Sequence, residues 1–146
     1  VDTFILLNKK NISNDKLYII GSRNEYFSNV IEPKIYNIAN IIFLGPIYDR
    51  KKLFRLWKTS DYYIHGHSVG GTNPTLVEAC VIGKPLIVFD TSFSRLVVGD
   101  NALFFKDSES LSKIINDLNY SYPVDPPILG SEFDWQVISK QYLDLL

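Results

Sequence analysis

Residues 62–89 read YYIHGHSVGGTNPTLVEACVIGKPLIVF, and this stretch decides the fold. It begins with Tyr62–His65, an apolar run of strand length. A turn rich in glycine follows, and then an apolar segment that starts at Pro74 and stops at Gly83. Pro74 suits the first turn of a helix, where its missing N–H costs nothing, and Gly83 suits a left-handed stop before Lys84-Pro85. Leu86–Phe89 then returns as a second strand. Both runs are apolar on both parities, which predicts strands covered on both faces.

Working outward, the same alternation continues. Lys16–Ile20, Ile41–Leu44 and Ala102–Phe105 are further strand-sized apolar runs. Leu53, Leu56 and Trp57 follow the N-cap candidate Asp49, with basic residues on the opposite face. Leu111, Ile114, Ile115 and Leu118 follow Ser108 at helical spacing, and Asp107 and Glu109 suit a helix start. Val1–Leu7 reads as the end of a helix. Pro123, Pro126 and Pro127 mark an extended linker, and Phe133, Trp135, Ile138, Tyr142 and Leu145 predict a last helix over 131–146. The pattern predicts an α/β, Rossmann-like parallel sheet with helices on both faces. We divide it into a partial Rossmann-like domain over 1–119 and a linker with a C-terminal helix over 120–146.

Composition narrows the function. The chain has 146 residues, with 15 Lys+Arg against 16 Asp+Glu and a formal net charge of -1. That balance argues against a surface built to neutralise many phosphates. At 46% apolar and 14% aromatic residues, the chain has ample material for a packed core. The single cysteine, Cys80, excludes an intrachain disulfide and points to a reducing compartment. No apolar run approaches the ~20 residues of a membrane helix. Because no Met is present and Val1 leads straight into structured sequence, we expect a fragment whose first strand precedes Val1.

The turn after Tyr62–His65 lies at the carboxyl end of a strand, where open α/β sheets bind ligands. Gly70-Gly71 permit positive φ and close approach of the backbone. Thr72 or Asn73 caps the next helix. Its free N–H groups and dipole make an anion site worth about 0.3–1 kcal/mol, up to ~2 when partly buried. Glu78, four positions after Pro74, suits the paired hydroxyls of a sugar, each such hydrogen bond being worth about 1.5–3 kcal/mol. Together they spell a nucleotide, with diphosphate at the helix start and ribose on the carboxylate. Taken singly, a Gly-Gly turn is usually only a turn and a helical glutamate only a solvated residue. His65 and His67 lack further ligands at metal spacing, and we expect at most one of them to face the cleft. Cys80 is expected in the core.

These residues also carry a family resemblance. Ile41–Gly45, Trp57, Asp61, Glu78-Ala79, Gly83–Ile87 and Ala102–Phe105 resemble the carboxyl-terminal domain of GT-B nucleotide-sugar glycosyltransferases, family-4-like. Tyr63–His67 with Val69–Pro74, Tyr48-Asp49 and Phe93–Arg95 after Asp90 are similar to bacterial rhamnosyltransferases. The resemblance implies that Glu78 holds the donor ribose. Backbone amides of Gly71, Thr72 and Asn73 would face the diphosphate and sugar, with Pro74 and Gly70 shaping the turn and His67 and Ser68 lining the pocket. It implies a dTDP- or UDP-linked donor, no metal or other cofactor, and a saccharide or lipid-linked acceptor. The expected setting is bacterial cell-surface polysaccharide synthesis in the cytoplasm or peripherally at the inner membrane face. Catalytic residues are expected in an absent N-terminal domain, so this chain alone is expected to be inactive. The sequence departs from the wider family at Gly70, where a first glutamate usually stands, and from the subgroup at Ser68 and Leu96. The alternatives are a GT-B sugar-nucleotide epimerase fragment and a non-catalytic nucleotide-binding module.

Overall fold

A computed structural model describes residues 1–9, 15–118, 136 and 140 of the chain. Five strands and six α-helices are present among them: α1 (Asp2–Lys9), β1 (Leu17–Ile20), α2 (Glu32–Ile35), β2 (Ile41–Gly45), α3 (Arg50–Thr59), β3 (Tyr63–His65), α4 (Pro74–Ile82), β4 (Leu86–Phe89), α5 (Ser92–Val98), β5 (Leu103–Phe105) and α6 (Ser108–Asp117). All five expected strands form, within one residue of the expected bounds. The linker and last helix expected over 120–146 lie outside the described residues, apart from Gln136 and Lys140, both helical.

Every strand pair is parallel, but the pairing forms two ladders rather than one. β1 pairs with β2, Leu17 opposite Ile41, and the register shifts between Ile19 and Ile20. β4 lies between β3 and β5, with Ile64 opposite Ile87 and Ile87 opposite Leu103. Among the described residues, β1 and β3 each bond along one edge only.

The chain divides into two compact units. Among the described residues, the first takes in Val1–Leu56 and 106–118, the second Trp57–Phe105 with Gln136 and Lys140. In the first, Phe27 stacks on Phe43 with centroids 4.1 Å apart, and the buried Thr3 hydroxyl donates to the Ser108 carbonyl at 3.3 Å. A π-helical turn, Phe27–Ile31, runs into α2 around Pro33. The sequence reading assigned no helix there, because a π turn breaks the 3.6-residue period that makes helices visible.

The second unit is built on β4. Leu86 and Val88 are 0% exposed and pack with Leu76, Ala79 and Cys80 of α4, Val97 and Val98 of α5, and Ala102. Full burial of such side chains contributes about 1.5–3 kcal/mol each. Burial also pushes the Cys80 thiol up to about 11, so it stays protonated and inert. α5 escaped the sequence reading because seven residues are too few to show a period. Among the described residues, no helix is long and apolar enough to cross a membrane.

Candidate functional site

The site is assembled where β3 ends and α4 begins. Asn73 is the N-cap, as one of the two expected caps. Its Oδ1 accepts from the Thr75 backbone N–H at 3.0 Å and from Thr75 Oγ1 at 2.7 Å. Its side-chain oxygen is thus committed to the helix, and its amide nitrogen makes no hydrogen bond among the described residues. At the other end Gly83 adopts the left-handed conformation, φ 73°, as the stop expected from sequence.

Between His65 and Asn73 the backbone is open. Residues 66–72 neither give nor accept a hydrogen bond among the described residues, and all of them are exposed. Gly70 sits at φ 101°, which a side-chain-bearing residue rarely adopts. Gly71 does not share that requirement. Its φ is not positive, and an added Cβ would meet nothing within 4 Å. The expectation of positive φ therefore holds at Gly70 and is corrected at Gly71.

An open recess of about 240 Å³ of empty space, its mouth to solvent included, lies beside this turn. The loop lines it with His67, Val69, Gly70 and Gly71, and α4 adds Asn73 and Leu76. His65, with Thr91, Phe93 and Ser94 at the start of α5, completes the lining. Of the expected site residues, His67, Gly70, Gly71 and Asn73 are thus brought together. Ser68, Thr72 and Pro74 belong to the same exposed turn without lining the recess. Glu78 stands half-buried one turn along α4, also outside the lining.

Glu78 has a neighbour in Tyr63. Burial pushes the Tyr63 phenol above its usual range, its hydrogen bond with Thr75 works against that, and the Glu78 charge adds to it. The Tyr63 hydroxyl donates to Thr75 Oγ1 at 3.2 Å.

Both histidines line the recess, which corrects the expectation that at most one faces it. Residues two apart along an extended chain point to the same face, so the period of two itself favours bringing them together. Their rings stack with centroids 5.5 Å apart and 17° between planes. Tyr63 and Trp57 extend this row of rings inward, at 6.1 Å and 5.3 Å. Burial, and secondarily the His67 charge, hold the His65 imidazole below its usual range, so it is neutral near pH 7.

Sequence reading missed the Thr91–Ser94 wall. Ser94 is buried, and Thr91 caps α5 by accepting from the Ser94 N–H at 3.1 Å while its hydroxyl donates to Ser94 Oγ at 2.9 Å. A threonine three positions before a serine is a capping signal that could have been read. Arg95 next to it is structural: it binds Asp90 at 2.5 Å and Asp100 at 3.4 Å, and its guanidinium lies 4.0 Å from the Phe104 ring centroid. Among the described residues, no three His, Cys, Asp or Glu side chains gather as metal ligands would.

Parallel strands flanked by helices, with an open glycine turn at a strand end, define a nucleotide-type α/β domain, and the family follows from the sequence comparison. The chain belongs to the glycosyl transferases group 1 family, whose sequence profile matches residues 1–121. Its fold is that of a GT-B carboxyl-terminal domain. It superposes on Anabaena Alr3699/HepE in complex with UDP with a TM-score of 0.73, at 19% identity, over 97% of this chain and 44% of that one. The complex of that protein with UDP-glucose matches at a TM-score of 0.65 and 15% identity, over 99% of this chain and 53% of that one. The chain therefore spans about half the length of the solved structures it resembles. No curated protein matches it.

Proposed function

We propose that the chain is the donor-binding half of a glycosyltransferase that takes a UDP- or dTDP-linked sugar, rhamnose being the expected one. The observation that carries this reading is the open turn at residues 66–72. Its N–H groups and the Asn73 amide lack partners among the described residues, and Glu78 follows one turn later. The diphosphate then meets the turn and the start of α4, and Glu78 accepts from the ribose hydroxyls. The crystallised relatives hold UDP and UDP-glucose, which is consistent with a nucleotide-sugar donor.

In this scheme the bond between the sugar and the diphosphate oxygen breaks through an oxocarbenium-like state. The turn amides stabilise the leaving diphosphate, and no metal is needed. The acceptor, a saccharide or lipid-linked saccharide of a cell-surface polymer, and the catalytic groups belong to an N-terminal domain. A place at the inner membrane face draws support from α3. Arg50, Lys51, Lys52, Arg55 and Lys58 are all exposed on it, and the helix holds no acidic residue.

The test is calorimetric titration of UDP-glucose and dTDP-rhamnose into the protein and its Glu78→Ala variant. Loss of the charged acceptor should weaken binding about 10- to 100-fold. Equal affinity in both proteins removes Glu78 from the site.

A further inference from the structure

A nucleotide-sugar joins ribose, diphosphate and sugar in a fixed order, so placing the first two also places the third. With the ribose on Glu78 and the diphosphate on the open turn, the recess that Glu78 does not line is left to the sugar. No Lys, Arg, Asp or Glu lines that recess, and its apolar side chains are Val69, Leu76 and Phe93. Leu76 is buried, but Val69 and Phe93 are 79% and 49% exposed, so both still have apolar surface to give to a ligand. Phe93 also stands apart from the packing of its own helix. The residues that α5 buries are Ser94, Val97 and Val98, and the core around β4 forms without the Phe93 ring.

Resting on the donor reading above, we propose that Phe93, with Val69 on the same recess, is the specificity-determining contact for the donor's sugar and selects an uncharged one. A pyranose presents C–H groups on the faces of its ring, and these gain on leaving water for an aromatic surface. The hydroxyls of a neutral sugar carry little cost there, because the recess opens to solvent. A uronic acid differs. It brings a carboxylate against a phenyl ring and a valine, with no Lys or Arg in the lining to pair with it. An unpaired charge drawn out of water is costly, so the same lining that holds a neutral sugar rejects an acidic one.

The probes are UDP, UDP-glucose and UDP-glucuronic acid, the last two differing only at the sixth carbon, a hydroxymethyl group against a carboxylate. Calorimetric titrations are run at pH 8.0, above the ordinary imidazole range, so that no imidazolium pairs with the carboxylate. The wild type should bind UDP-glucose about tenfold more tightly than UDP-glucuronic acid. Phe93→Ala should lose about tenfold in affinity for UDP-glucose and nothing for UDP, which carries no sugar. Phe93→Arg should reverse the preference between the two sugars, and circular dichroism verifies that both variants are folded. Equal or reversed affinities in the wild type, or a Phe93→Ala loss as large for UDP as for UDP-glucose, overturn the assignment and leave the donor reading standing. Failure of the wild type to bind any of the three, or dTDP-rhamnose, overturns the donor reading, and this assignment with it.

Discussion

The turns leading into α4 and α6 begin alike, each following a short strand and each ending in an Asn or Asp cap, yet they use their polar groups in opposite ways. Before α6, Asp107 Oδ1 accepts from the Ser110 N–H at 2.7 Å and from the Ser110 hydroxyl at 2.8 Å. Ser110 Oγ in turn accepts from the N–H groups of Lys106 and Asp107, at 3.0 and 3.1 Å. The cap oxygen and the Ser110 hydroxyl are both taken up within five residues, so this cap is closed on itself. Before α4, Asn73 caps the helix with its oxygen alone, and the seven residues ahead of it bond to no described residue. A helix start closed on itself is structural; the one left open at a strand end is where we propose that the donor sits.

Substitutions can break that contrast. The largest stability effect is expected from Gly70→Ala, since φ 101° is strained for any side chain, at a cost of about 1–3 kcal/mol. Chemical denaturation measures it, and an unchanged midpoint would mean the turn relaxes freely. Next, Asn73→Ala and Asp107→Ala should each lose about 1 kcal/mol, the worth of an N-cap. They should part in binding: the first weakens UDP-glucose affinity and the second leaves it alone. Equal binding loss in both would dissolve the distinction between the turns. Gly71→Ala should cost under about 0.5 kcal/mol of stability, because a Cβ there meets only open space, so any binding loss in it reports approach of a ligand.

The smallest effect is in pH. His65 has its folded pKa lowered below 6.5, chiefly by burial, so the unfolded chain binds its proton more readily. Its contribution to stability is present above pH 6.5 and is lost as pH falls below it. Asp107 is lowered below 3.8, first by the Ser110 backbone N–H, so its contribution is lost only as pH falls beneath that value. Thermal melts should therefore show a first decline below pH 6.5, absent in His65→Phe, and a second in stronger acid, absent in Asp107→Ala.

Much of this was legible in the sequence. The central strand of the second unit announces itself because both its faces are buried, as at Leu86–Val88, and the α4 bounds follow from Asn73-Pro74 and Gly83. The expected loop residues His67, Gly70, Gly71 and Asn73 do meet at one recess. What escaped was whatever depends on tertiary placement. The Thr91–Ser94 wall joins the site through the β4–α5 turn, some twenty residues downstream. The division into two ladders follows from which strand edges meet, and alternating apolar runs carry no information on that.

The most direct test of the central claim is a backbone amide NMR titration with UDP-glucose. The account predicts the largest shift changes at residues 66–73, with smaller ones at Thr91–Ser94 and none at Lys106–Ser110. Changes confined to other segments, or a spectrum indifferent to UDP-glucose at millimolar concentration, would contradict it.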